Sequence, residues 1–411
     1  MSDIQALNEQ FEAYKALNLK LAMTRGQPAD ENFDLSNDML TIVSGEDTVT
    51  PSGIEIRNYP GGVAGLLEAR ELFGNMLGVN AAEMIVGNNA SLSIMNQVLT
   101  WALLKGVNGS PAPWMPDNPK LIVTIPGYDR HFKLAQALGY ELVPVDITST
   151  GPDIEAVEKL AAEDASIKGI FFVPVYSNPT GDSVSDEVVR RLVSMPTAAP
   201  DFTIFADNAY AVHHLDPNDK TIPLNFLTAA KDAGNPNRVI LFGSTSKVTF
   251  ASGGIGFMGT SEENVAYFSK LFGLTTIGPN KIDQFRHVRF FQTIDGGIDG
   301  LMAQHADILK PKFDAVHRVL KEHLGDSGLA TWTEPKGGYF ISLNTTKPVA
   351  SRVVELAKEL GVALTPAGAT YPGGVDPHNT NIRLAPSRPP LEEVEKAMEV
   401  VALCIKLASA E

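Results

Sequence analysis

Val239-Ile240-Leu241-Phe242-Gly243-Ser244-Thr245-Ser246-Lys247 sets a short apolar run directly against a hydroxyl-rich turn that ends in a lysine. A β-branched and aromatic run of this length, closed by Gly and Ser, reads as a buried strand. The same pattern recurs at Met84–Val86, Leu121–Ile125, Glu141–Val145, Ile170–Val173, Thr203–Ala206 and Ile255–Met258. Helical spacing lies between several of these runs, as at Leu66, Ala69, Phe73, Leu77 and at Leu92, Met95, Leu99, Leu103. Strands alternating with helices imply a mostly parallel sheet covered on both faces. In such sheets ligands gather beyond the carboxyl ends of the strands, so the loops after each run are where chemistry is expected.

Those loops carry the unusual residues. Lys247 sits at a strand end, and a partly deprotonated lysine there can form an imine with an aldehyde, with Ser244 and Ser246 placed to bind a phosphate. Alone, the tetrapeptide reads equally as a surface lysine in a Ser/Thr loop. Asp207-Asn208-Ala209-Tyr210 follows the run at Thr203. Its aspartate can pair with a protonated pyridine nitrogen or simply cap a helix. Ser177-Asn178-Pro179-Thr180-Gly181 is a tight turn whose Asn178 amide can reach a phenolate oxygen. Gly87-Asn88-Asn89-Ala90-Ser91 precedes a helix whose free backbone N–H groups suit an anion. Ile382-Arg383-Leu384-Ala385-Pro386 puts an arginine among apolar residues, where it needs a carboxylate, from a ligand or from an internal salt bridge.

Taken together and in this order, these motifs resemble the class I/II aminotransferases, pyridoxal-phosphate enzymes of fold type I, from about Arg25 to the C-terminus. Ser244-Thr245-Ser246-Lys247-Val248-Thr249-Phe250-Ala251-Ser252-Gly253-Gly254 and Asn381-Ile382-Arg383-Leu384-Ala385-Pro386-Ser387 look most like a divergent subgroup of aspartate aminotransferases. The resemblance implies a mostly parallel seven-stranded α/β sheet sandwiched by helices, with a smaller α+β domain. The large, cofactor-binding domain is expected over 46–300, and the small one over 1–45 and 301–411.

By the same resemblance, Lys247 holds pyridoxal 5′-phosphate as a Schiff base and then shuttles the substrate α-proton, with Asp207 on the pyridine nitrogen. Asn178 and Tyr210 bind the phenolate oxygen, Tyr128 stacks on the ring, and Asn89, Ala90, Ser91, Ser244 and Ser246 surround the phosphate. Arg383 clamps the substrate α-carboxylate, and Gly26 lies over the substrate. Tyr59, in Arg57-Asn58-Tyr59-Pro60-Gly61-Gly62, reaches the phosphate of a neighbouring subunit, which makes the enzyme a homodimer with shared sites. Arg25, Arg57 and Arg388 are candidates for the distal carboxylate of a dicarboxylic substrate. One position departs from the family: where relatives carry a phosphate-binding arginine eight residues after the lysine, this chain has Ile255.

The expected reaction is ping-pong transfer of an amino group from an amino acid, L-aspartate foremost, to a 2-oxo acid such as 2-oxoglutarate. A C–S β-lyase and a transaminase for aromatic or aminoadipate-type amino acids remain alternatives, because pocket residues and not the fold decide the outcome. A net charge of -15 argues against nucleic acid and anionic membranes as partners. A winged-helix regulator is disfavoured, since the motifs begin by residue 25. The single cysteine, Cys404, lies in an apolar stretch and reads as a buried hydrophobe. The adjacent His213 and His214 lack further ligands at metal-site spacing, and His131 is expected behind the site. With no apolar leader and no long apolar span, the compartment expected is the cytoplasm.

Overall fold

The computed structural model describes residues 2–59 and 61–411; Met1 and Pro60 of the Tyr59 motif lie outside it. Among the described residues thirteen strands form in chain order. They are β1 (Leu21–Met23), β2 (Met84–Val86), β3 (Lys120–Ile125), β4 (Glu141–Thr148), β5 (Gly151–Pro152), β6 (Ile167–Phe172) and β7 (Thr203–Asp207), then β8 (Val239–Ser244), β9 (Gly256–Thr260), β10 (Ala330–Trp332), β11 (Ile341–Thr345), β12 (Val362–Leu364) and β13 (Asn381–Leu384).

Each of the seven apolar runs becomes a strand of one sheet, ordered β2-β9-β8-β7-β6-β3-β4-β5. The sheet has eight strands where seven were expected. The eighth, β5, is a two-residue antiparallel return onto the end of β4, too short to leave a sequence pattern. The five strands from β8 to β4 pair in parallel, while β9 runs antiparallel to both β8 and β2. Alternation along the strands explains why both faces are apolar. Val239 and Leu241 of β8 enter one core with Ile204 and Ala206, whereas Ile240 and Phe242 enter the opposite core with Phe205. Each large side chain buried this way contributes roughly 1.5–3 kcal/mol.

A second core gathers the elements after residue 300. The helices Gly297–Leu324, Ala350–Glu359 and Leu391–Ala410 pack on the antiparallel sheet β10-β11-β13, and Cys404 is buried among them. The expected boundary at 300/301 falls inside the first of these helices. The N-terminal stretch supplies β1, which pairs in parallel with β12. Gly361, just beyond the helix Ala350–Glu359, adopts φ 83°, the left-handed cap that glycine accepts without strain. No helix among the described residues is long and apolar enough to cross a membrane.

Candidate active site

The parallel strands deliver their carboxyl ends to one edge of the sheet, and a cavity of about 180 Å³ opens there. Asp207 ends β7 and Ser244 ends β8; Tyr128 follows β3 and Asn178 follows β6. All four line this cavity together with Ala90, Ser91, Tyr210, Ser246 and Lys247. Leu92, Val173 and Ala209 complete its wall, apolar residues that carried no signal in the sequence.

Lys247 Nζ lies 5.3 Å from the centroid of the Tyr210 ring. Burial lowers the amine's pKa and the Asp207 carboxylate partly restores it, so the neutral, nucleophilic form is more accessible than in water. Asp207 Oδ2 is 2.8 Å from His131 Nε2, whereas the buried Oδ1 has no partner. His131 is itself buried, stacked on Phe171 with ring centroids 3.9 Å apart and edge-on to Tyr128. It therefore holds the carboxylate from behind, as the sequence suggested. A carboxylate held on one oxygen and free on the other fits a protonated ring nitrogen. Burial raises the Tyr210 hydroxyl well above the usual phenol range, with Tyr128 and Asp207 adding to the effect, and lifts Tyr128 to about 12. Both phenols stay protonated and can donate.

At the other end of the cavity, Ser244 Oγ and Ser246 Oγ are 2.8 Å apart, and Ser91 begins the helix Ser91–Lys105. Hydroxyls beside a helix N-terminus suit a phosphate. Gly256 allows this close fit: a Cβ there would lie 2.5 Å from Ser91 N and Ala90 C. Ile255 is fully buried in the core on one face of the sheet, and its N–H donates to Thr245 Oγ1 at 2.8 Å. An arginine at this position would have to leave that core. Among the described residues Lys247 is the only cationic side chain lining the cavity, so hydroxyls and backbone N–H groups are what they offer a phosphate.

Two expected phosphate and substrate contacts differ from expectation. The Asn89 side chain turns away from the cavity, donating to the carbonyls of Ala251, Ser252 and Gly254 at 3.1–3.3 Å; it shapes the loop after the lysine. Arg25 is exposed and lines a separate cavity with Arg388, beside Asp30, Glu31 and Glu393. Arg57 pairs with Glu55 at 2.9 Å on the surface.

Arg383 stands next to the cavity, with Nη1 donating to Asn178 Oδ1 at 3.2 Å and the guanidinium 4.7 Å above the Phe340 ring. Phe340 in turn packs on Gly26, where a Cβ would sit 2.2 Å from the ring. Phe340 is not among the residues the sequence singles out; the Gly337-Gly338-Tyr339-Phe340 stretch before β11 was the available signal for this support. Tyr59 is 70 % exposed, outside the cavity, in a surface groove with Arg57, Ile277, Lys281 and Ile282. His213 and His214 diverge: His214 Nδ1 meets the Tyr176 hydroxyl at 2.6 Å, and His213 Nε2 faces the Lys247 carbonyl at 3.4 Å.

Comparison with known proteins agrees with this geometry. A family model described as aspartate amino-transferase matches residues 1–411. An aspartate aminotransferase of Corynebacterium glutamicum is 44% identical over 406 residues, covering 98% of this chain and 93% of that protein. A putative aminotransferase of Mycolicibacterium smegmatis is 46% identical over 404 residues, 98% of this chain and 94% of its own. The crystal structure of an aspartate transaminase from Corynebacterium glutamicum superposes with a TM-score of 0.95 at 43% identity, covering 99% of this chain and 95% of that one.

Proposed function

This chain belongs to the aspartate aminotransferase family, and from that premise we propose that it moves the amino group of L-aspartate to 2-oxoglutarate as a cytoplasmic homodimer with pyridoxal phosphate as cofactor. One observation carries the site assignment: a buried amine, Lys247, shares a cavity with a carboxylate, Asp207, that has one oxygen held by His131 and the other without a partner. The residues fit the cofactor at both ends, with Asp207 for the ring nitrogen and Ser91, Ser244, Ser246 and the helix N-terminus for the phosphate.

Pyridoxal phosphate supplies an aldehyde that condenses with amines and a ring that takes up the electron pair left when Cα–H breaks. The chain's own residues do the rest. Asp207, oriented by His131, would hold the ring nitrogen through its free oxygen. Tyr210 and Asn178 present hydrogen bonds to the ring oxygen. Arg383 grips the α-carboxylate and fixes which substrate bond faces Lys247. Lys247 Nζ, its pKa lowered by burial, would take the proton from the substrate Cα and hand it to the carbon that began as the cofactor's aldehyde. The amino group would stay in the site when the first oxo acid leaves, and the second oxo acid would collect it there, giving ping-pong kinetics.

The groove holding Tyr59 supports the dimer. Tyr59, Ile277 and Ile282 are apolar side chains exposed on one surface, and a second copy covers them in this reading. Such a dimer carries Tyr59 to the neighbouring phosphate. Arg57, two residues away, comes with it and is our candidate for the distal carboxylate.

A panel of amino donors and oxo-acid acceptors, with direct assay of the oxo acid formed, tests the reaction. The expected result is fastest transfer with aspartate and 2-oxoglutarate. Pyruvate and ammonia released from cysteine conjugates without transfer would replace it with a β-lyase. Protein that stays colourless with pyridoxal phosphate, with no adduct on the Lys247 peptide after borohydride, would remove the site assignment altogether. For the dimer, mixing Tyr59→Phe with Lys247→Ala protein should yield hybrid sites of distinguishable cofactor affinity. Unchanged affinity in Tyr59→Phe counts against a shared site.

A further inference from the structure

His305 lies on the long helix Gly297–Leu324, far in sequence from every motif above, and is almost fully buried. Its two ring nitrogens join two segments of the active site. Nδ1 is 2.9 Å from Asn32 Nδ2, and Nε2 is 2.9 Å from the carbonyl oxygen of Val248, the residue after Lys247. Asn32 is also buried, and its Oδ1 accepts the Ala29 N–H at 3.0 Å, so its amide can only donate toward the ring. Nδ1 must therefore accept and Nε2 must donate. The imidazole is neutral and locked in one tautomer, which agrees with burial lowering its pKa to about 4.

The segment ending at Asn32 is the one that carries Gly26 against Phe340 under the Arg383 guanidinium. It is tied down at three points. The Thr365 hydroxyl donates to Thr24 O at 2.8 Å, the Ser387 hydroxyl donates to Gln27 O at 2.8 Å, and Asn32 meets His305. The long helix holds it directly through His305 and indirectly through Lys312, two turns on, which donates to Ser387 O at 3.1 Å. On the other side, the Lys247 turn is wound by Val248 and Thr249 N–H groups on Thr245 O at 2.8 and 2.9 Å. The Val248 carbonyl projects from this turn onto His305.

We propose that His305 is a positioning residue for Lys247: with Asn32 it forms a relay that sets the main chain after the lysine according to the position of the segment over the carboxylate clamp. Engagement of a substrate carboxylate at Arg383 then bears on where the Lys247 amine stands when it moves the α-proton. The inference rests on the aminotransferase reading and adds residues that reading does not use.

The test compares His305→Phe, which fills the space without bonds, with His305→Gln, whose amide can both donate to Val248 and accept from Asn32. Asn32→Leu cuts the same relay from the other side. In the full-length apoprotein, nitrogen NMR of labelled histidine should show the Nε2–H tautomer at position 305 at neutral pH. In the cofactor-loaded protein, His305→Phe and Asn32→Leu should each slow the single-turnover rate with aspartate roughly tenfold per loaded site. They should also shift the pH midpoint of the visible cofactor band and leave KM little changed. His305→Gln should recover most of both, and the Phe/Leu double variant should be no slower than either single. An Nδ1–H tautomer, or variants that lose thermal stability while keeping the parent rate and pH midpoint per loaded site, overturns the proposal. A parent protein that takes up no cofactor overturns the aminotransferase reading and this one together. A loaded parent with variants that behave like it overturns only this one.

Discussion

Replacing Arg383 with methionine separates two roles a buried guanidinium can have. Its contacts are long: Asn178 Oδ1 at 3.2 Å, Thr365 Oγ1 at 3.4 Å and Thr24 O at 3.5 Å, with Nε buried and unpartnered. The nearest carboxylate, Asp129, is 3.9 Å away. Charge-assisted hydrogen bonds at full strength run to about 2.7–2.9 Å. The cation is thus desolvated without full compensation, and burial lowers its pKa with Asp129 only partly opposing. In the proposed reading a substrate carboxylate supplies the missing pair of short bonds. Each contributes about 1.5–3 kcal/mol, so losing both near the lower end of that range costs about 3–4 kcal/mol. That is a fall of roughly 10²- to 10³-fold in kcat/KM for aspartate. Stability should move the other way or not at all, because methionine removes an under-paired charge and keeps contact with Phe340; the melting temperature should stay within about 2 °C or rise. Arg383→Lys keeps the charge but loses the fork and should fall between the two. Stopped-flow absorbance with aspartate and a thermal melt on the same samples read both quantities. A methionine variant that melts about 5 °C lower or more with kcat/KM within about threefold of the parent would mean that Arg383 is an internal ion pair with Asp129, and the clamp argument fails.

Three further predictions follow from particular contacts. Gly26→Ala places a Cβ 2.2 Å from Phe340 Cζ; overpacking of about 1–3 kcal/mol should displace the ring and raise the KM for the amino acid about tenfold, and Gly26→Ala/Phe340→Leu should recover part of it, whereas an unchanged KM in the single variant would show that the ring does not support Arg383. His287 and His305 are buried with pKa values lowered from 6.5 to about 4. Between those values the unfolded chain binds protons that the folded chain does not, so stability is full above 6.5 and falls as pH drops toward 4, by up to about 1.4 kcal/mol per unit for each histidine. Urea unfolding across that window should show a shallower slope for His287→Gln, and a parallel slope would contradict this origin. Cys404 is buried and its thiol is pushed up to about 12, so iodoacetamide should leave native protein unlabelled and modify it only in denaturant; rapid native labelling would show that the C-terminal helix opens.

Local order along the chain settled a great deal before any contact was known. Seven apolar runs read as strands, and each one is a strand of the sheet; all but β4, near one edge and half exposed, are buried along most of their length. Where they run parallel, from β8 to β4, the residues after them share one edge. This is why Asn178, Asp207, Ser244 and Lys247 were legible as candidates from their places after the runs, while Tyr128 came from the family resemblance. The motifs Asn89-Ala90-Ser91 and Ser244-Thr245-Ser246 were legible as a phosphate cradle for the same reason, although only the geometry shows which way the Asn89 amide turns.

Tertiary structure decided what depends on pairs distant in sequence. The sheet places β3 between β6 and β4, an order that strand patterns do not encode. The two-residue β5 and the pairing of β1 with β12 arise from the register of neighbouring chain and not from local propensity. The same holds for the contacts of His131 with Asp207, Phe340 with Arg383, and His305 with Asn32 and Val248. It holds for Arg25 as well, whose charge suited a substrate but whose side chain the fold turns toward Arg388 and a different cavity. Residue type and local spacing specify which groups can do chemistry. Which of them meet is set by packing of the whole chain, because a hydrogen bond or ion pair exists only where the backbone brings both partners within about 3 Å.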